Sequence, residues 1–189
     1  MCIQRHLLKW LGWKTAGVFP DIPKSVIAVA PHTTYWDGWW GWLTLEQYRI
    51  PYTILADAFL FDKFPFNIMM KVIHAIPVNV RGKDAIHQVA DLLKSKESMH
   101  VVICPEGQLA PRDKWPAGFY HMARLAEVPI VVVALDYKHK TVIFKSVITD
   151  LSDPDKVWQT LVDDYSGGEL GRFPEKFLPP TGNLKKRGA

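Results

Sequence analysis

The tightest constraint on the fold is a change of period along the chain. Short β-branched runs alternate with segments in which apolar residues recur every three to four positions. Strands are predicted at 25–30, 52–56, 76–80, 100–104, 130–135 and 141–147, with helices at 35–48, 66–73, 84–94, 118–126 and 153–165. In the helix over 84–94, Ile86, Val89, Ala90 and Leu93 form the inward stripe, and Asp84 suits its start. Regular alternation of this kind indicates an α/β domain. Val101-Val102-Ile103-Cys104 and the run IVVVAL are apolar without alternation, as expected of central strands covered on both faces, whereas TVIFKSV fits an edge. The expected fold is therefore a single α/β domain with a mixed, mostly parallel central sheet flanked by helices, preceded by a short amphipathic helix.

Composition narrows what such a domain is for. The chain has 189 residues, 48% of them hydrophobic and 22% charged, so it has room for one well-cored domain and is not a disordered chain. Its net charge is +4, and four of its eight tryptophans lie between Trp36 and Trp42. Aromatic excess with mild basicity suits a bilayer surface better than a nucleic acid, so no nucleic-acid partner is expected. No run of about 18 apolar residues predicts a spanning helix, and no secretory leader is read at the start. Cys2 and Cys104 build neither a disulfide framework nor a metal set, and His74, His87, His100, His121 and His139 lack ligand spacing. A cytoplasmic protein without a metal is expected.

Three regions are expected along the chain. Residues 1–14 read as an amphipathic helix with Ile3, Leu7, Leu8, Trp10 and Leu11 on one arc and Arg5, His6 and Lys9 opposite, a pattern shared by docked and by interfacial helices. Pro20 and Pro23 mark a linker to the α/β domain at 25–165. Residues 166–189, rich in Gly and Pro and ending on Lys185, Lys186 and Arg187, read as an extended basic tail that wraps the domain or stays loose. A second apolar patch is read in the loop carrying Phe59, Leu60, Phe61, Phe64 and Phe66.

Chemistry is concentrated after the first strand of the domain, in Pro31-His32-Thr33-Thr34-Tyr35-Trp36-Asp37. Open α/β sheets place ligands at the carboxy-terminal ends of their strands. On a regular helix His32 and Asp37 would point about 140° apart. With His32 in the loop and Asp37 in the first turns of the helix, the carboxylate reaches one ring nitrogen and leaves the other as a base. Pro105-Glu106-Gly107 follows a second strand and puts a carboxylate and a glycine turn at another strand end. In order along the chain stand Ala75-Ile76-Pro77-Val78-Asn79-Val80-Arg81, then Lys114-Trp115-Pro116-Ala117-Gly118-Phe119, then Val128-Pro129-Ile130-Val131.

His32-x4-Asp37, IPVNVR, PEG and VPIV resemble the four ordered blocks of the glycerophospholipid acyltransferases, enzymes similar to 1-acylglycerol-3-phosphate acyltransferase, over residues 27–137. The resemblance implies a glycerol-3-phosphate acyltransferase-like fold. It also implies transfer of a fatty acyl group from a thioester of coenzyme A or acyl carrier protein to an acceptor hydroxyl, without an acyl-enzyme and without a bound cofactor. His32 would be the general base and Asp37 its partner, Glu106 and Gly107 would position the acceptor, and the membrane's inner face would supply it. Cys104 reads as a small apolar residue. Trp36, Trp39 and Trp40 read either as core or as the lining of an acyl channel or lipid-facing surface.

Two positions depart from the family pattern. The arginine expected directly after Asn79 stands one place later, at Arg81, and a shift of one residue in a strand reverses the side chain. The threonine and arginine expected after Glu-Gly are Gln108 and Leu109, leaving Arg112 in a turn-like stretch, with Lys114, as the nearest cation. A less charged acceptor than lysophosphatidate, or a phosphate site rebuilt around Arg81 and Arg112, are both compatible with this. Two other functions stand beside acyl transfer: a hydrolase using the same pair on a thioester or lipid ester, and a non-catalytic lipid-binding module.

Overall fold

A computed structural model describes residues 3–78, 84–112, 114–167 and 171–181. Six helices, α1 (Ile3–Trp10), α2 (Trp36–Leu45), α3 (Phe66–Val72), α4 (Asp84–Ser95), α5 (Gly118–Ala126) and α6 (Pro154–Tyr165), surround one sheet. Its strands are β1 (Lys14–Ala16), β2 (Lys24–Ala30), β3 (Tyr52–Asp57), β4 (Ala75–Val78), β5 (Met99–Ile103), β6 (Ile130–Asp136) and β7 (Thr141–Ile148). Their order is β1-β7-β6-β2-β5-β3-β4, and every pairing is parallel except β6 with β7.

The unbroken hydrophobicity of β2 has a direct cause. Val26, Ala28 and Ala30 face one core, where Val89 and Leu93 of α4, Phe119 and Ala123 of α5, and Val157 and Leu161 of α6 cover them. Ile27 and Val29 face the other, with Leu8 of α1, Leu43 of α2 and Met70 of α3. Successive residues of a strand point to opposite faces, so a strand sandwiched between two helical layers has no solvent side on which a polar residue is favoured. Truncating such a residue, as in Ile27→Ala, costs about 2–5 kcal/mol.

Several expectations need correction. TVIFKSV is not the edge of the sheet: β1 pairs alongside it, Lys14 opposite Thr141 and Ala16 opposite Ile143. Three residues are too few to show a period, which is why β1 escapes a pattern reading. The helix expected over 35–48 gives way to turns after Leu45, and the strand expected over 76–80 is described only to Val78. The Pro-flanked linker carries Phe19 into the second core, its ring against Tyr48, His100 and Phe144. α1 is docked through Leu8 with Leu7 and Leu11 half-buried, yet Trp10, expected on the same arc, is 80% exposed.

On the other face, Tyr165 at the end of α6 drives its hydroxyl between β2 and β6. It donates to the carbonyls of Ala28 (2.9 Å) and Val133 (3.3 Å), beside a bulge between Val132 and Val133. Trp115 packs against Trp158, Tyr165 and Phe177, tying the chain before α5 and the segment after α6 to the same core.

Candidate active site

β6, β2 and β5 are adjacent and parallel, so their carboxy-terminal ends share one edge of the sheet. The loops leaving that edge bring together Tyr137, the stretch from His32 to Asp37, and Cys104-Pro105-Glu106-Gly107. His32 lies in the loop before α2, and Asp37 in the first turn of α2.

Asp37 is the organising residue. Its Oδ2 accepts the backbone N–H groups of Thr33 (2.8 Å) and Thr34 (2.9 Å) and lies 3.1 Å from His32 Nδ1. Its Oδ1 accepts the Tyr137 hydroxyl at 2.5 Å. Asp37 stands in the first turn of α2, where the helix dipole favours negative charge, and its carboxylate reaches back to the N–H groups of the preceding loop, while the Thr34 hydroxyl accepts the Trp36 N–H at 3.4 Å. One carboxylate therefore both fixes the loop that carries His32 and holds the imidazole. An ionised carboxylate only accepts, so the proton of the neutral ring sits on Nδ1 and Nε2 is left basic.

The electrostatics of His32 are set by competition. Burial opposes the imidazolium, but the sulfur of Cys104 and the carboxylate of Asp37, both against the ring, outweigh it and hold the pKa well above the ordinary imidazole value. Cys104 is half-buried and lies close enough to His32 to act on the imidazole electrostatically. Glu106 is almost fully buried, and its Oε1 accepts the His32 backbone N–H at 2.5 Å. Burial pushes its pKa up to about 8, with the His32 N–H and imidazole pulling the other way. At neutral pH it is largely a neutral acid, able to donate as well as accept.

Gly107 closes the turn after β5 at φ +69°, and a Cβ there would come within 3.3 Å of Pro116 Cγ, so both conformation and space call for glycine. Arg112 folds back towards this turn, with its Nη1 3.8 Å from where that Cβ would stand, and its Nη2 donates to Gln108 Oε1 at 2.8 Å. Trp115 Nε1 donates to the Arg112 carbonyl (3.0 Å), which ties the loop to the core. Arg81 lies outside the described residues.

The tryptophans go separate ways. Trp40 stacks on Trp13 (4.3 Å between ring centroids), Trp39 lies against Trp42 (4.7 Å), and Trp36 is half exposed beside Asp37. An apolar cavity under Gly41 and Thr44 of α2 holds about 10 Å³, room for no more than about one water and none for an acyl chain.

Sequence reasoning missed Tyr137 and the influence of Cys104 on His32. Tyr137 directly follows the run IVVVALD, but only the sheet order, with β6 next to β2, puts it beside Asp37. The fold and the arrangement at this edge are those of an α/β enzyme. A family model described as Acyltransferase matches residues 19–136, and the chain belongs to that family, the glycerophospholipid acyltransferases. Searches of curated proteins and of solved structures returned no match. No described helix is long and apolar enough to cross a membrane.

Proposed function

We propose that this acyltransferase moves a fatty acyl group from a thioester of coenzyme A or acyl carrier protein to the hydroxyl of a lysophospholipid or related lipid alcohol. The observation that carries the reading is the His32 to Asp37 contact, held by two backbone N–H groups and the Tyr137 hydroxyl. His32 Nε2 takes the proton of the acceptor hydroxyl as its oxygen attacks the thioester carbonyl carbon. The C–S bond then breaks, and the imidazolium returns the proton to the departing thiolate. Asp37 orients the ring and stabilises the imidazolium. The neutral carboxyl of Glu106 and the turn at Gly107 position the acceptor, with Arg112 and Arg81 as cations for its head group.

The acceptor comes from a membrane that the protein meets peripherally, at the inner face. Support for this lies in the exposed indole of Trp10 and in the exposed side chains of Phe59, Phe64 and Ile68 flanked by Lys63 and Lys71. The half-exposed indole of Trp36, next to Asp37, offers the acyl chain an apolar surface.

The test is acylation by the purified protein of a panel of acceptors: lysophosphatidate, lysophosphatidylethanolamine, a lyso-ornithine lipid and glycerol. Acylated lipid that disappears with His32→Ala is expected. Transfer surviving that substitution would remove His32 from the mechanism, and thiol release without acylated acceptor would make the protein a hydrolase.

A further inference from the structure

The segment after α6 returns to the active-site loop. Gly171 is buried so closely against Thr33 that a Cβ on it would lie 2.5 Å from Thr33 Cγ2 and 2.6 Å from its Oγ1, an approach only glycine permits. Two residues on, the Phe173 N–H donates to the same Thr33 Oγ1 at 3.3 Å. Thr33 is the neighbour of His32 and gives its own N–H to Asp37. A strap from the far end of the chain is thus clasped to the loop that holds the catalytic pair.

Between the two clasping residues stands Arg172. Both its chain neighbours touch Thr33, its guanidinium lies 5.7 Å from the Phe173 ring centroid, and it is close enough to Tyr137 for its charge to act on that phenol. Arg172 is exposed, and among the described residues no carboxylate lies within ion-pair distance of it. An exposed cation placed by this close approach beside the active-site loop, with no acidic partner among the described residues, is arranged to meet an anion from solution. Arg112 stands on the β5 side of His32, near Gly107, and Arg172 on the β6 side, near Tyr137. The loop after β5 carries Gln108 and Leu109 where a cation is expected, so the strap supplies charge that this loop lacks.

We propose that Arg172 binds a phosphate group of one of the two substrates at the entrance to the acyltransferase site. The inference rests on the acyl-transfer reading, in which acceptor head group and phosphopantetheine-bearing donor both bring phosphate. A guanidinium suits this ligand because it offers paired N–H donors in a fixed plane to two phosphate oxygens.

The test compares wild type with Arg172→Gln and Arg172→Lys by calorimetric titration with two phosphate probes, coenzyme A and a short-chain lysophosphatidate. Acyl-N-acetylcysteamine and monoacylglycerol serve as phosphate-free counterparts. For one phosphate probe Arg172→Gln should raise Kd by about 10-fold or more, the scale of a lost charge-assisted hydrogen bond. Its phosphate-free counterpart should be unaffected, and Arg172→Lys should recover part of the loss. Weakening of lysophosphatidate assigns the site to the acceptor; weakening of coenzyme A assigns it to the donor. Equal Kd values for wild type and Arg172→Gln, no binding of either phosphate probe by wild type, or equal weakening of phosphate and phosphate-free ligands with a lowered Tm would each overturn the proposal. Binding is read without turnover, so absence of acyl transfer in wild type would fail the functional reading separately.

Discussion

His100 and His32 stand at opposite ends of one strand pair. At the start of β5, His100 lies in register with Ser25 of β2 and places Nδ1 2.8 Å from its hydroxyl. Beyond the other end of β2, His32 meets the carboxylate of Asp37, with Cys104 near enough to act on the ring and Glu106 of the loop after β5 on its backbone. His100 is fully buried among apolar groups with the edge of its ring against Phe19, and burial lowers its pKa to about 4. His32 is raised instead. A hydroxyl cannot replace the hydration that an imidazolium loses, whereas a carboxylate can. What separates the proton affinities of the two histidines here is the partner, not the burial.

Exchanging the roles is the most severe way to break that contrast. His32→Ala should lower kcat by about 10²–10⁴-fold with little change in Tm. His100→Ala should leave kcat within about twofold and cost about 1–3 kcal/mol of stability in urea unfolding. A catalytically dead, stable His100 variant would erase the distinction.

Asp37→Asn comes next. It keeps an acceptor for the backbone N–H groups but removes the charge, and a loss of about 10²–10⁴-fold in kcat/KM is expected. In wild type, kcat/KM should climb with pH through an inflection above the ordinary imidazole value, because His32 must be deprotonated to act. In the variant that inflection should move down. An inflection that stayed in place would mean Asp37 does not set the proton affinity of the ring.

Stability against pH sharpens the comparison further. His100 has a folded pKa below its unfolded value, so the unfolded chain binds more protons as pH falls from about 6.5 to 4, and stability is lost in that window. Glu106 and His32 have raised folded pKa values, so the native state holds protons that the unfolded chain releases. For Glu106 this means stability lost as pH rises from about 4.5 to 8. Glu106→Gln should remove this carboxyl's share of the decline between about pH 4.5 and 8 in thermal melts, and so make the His100-linked loss on the acid side steeper. A steeper decline with rising pH would contradict the neutral carboxyl.

The smallest effect is expected from Tyr137→Phe, which removes one hydrogen bond to Asp37 and nothing else of the ring. About 10-fold in kcat, with KM unchanged, corresponds to a single bond to a charged group. An effect on KM alone would place Tyr137 on the substrate instead.

Much of this was legible in the sequence because it is local. Short apolar runs reveal strands where both faces are covered, and the His32 and Asp37 geometry follows from a loop meeting a helix start within one segment. What escaped depends on which strands become neighbours. Tyr137 reaches Asp37 across 100 positions and Phe173 reaches Thr33 across 140, and no local period encodes either. Phe19 was hidden for a related reason: Pro20 and Pro23 beside it read as a linker, and only the space between Tyr48, His100 and Phe144 makes it core.

The stack of Trp13 on Trp40 has a consequence in spectroscopy. The two indoles are 17° from parallel at 4.3 Å, and Tyr137, which holds Asp37, sets its ring edge-on to Trp13 at 5.0 Å. Two indoles stacked this closely couple their electronic transitions, so the near-ultraviolet absorption and fluorescence of the folded chain differ from those of a separated pair. Because Trp13 follows α1 and Trp40 belongs to α2, that signal reads the seating of the amino-terminal segment on the helix that carries Asp37, in a lipid suspension as well as in buffer, with no label attached.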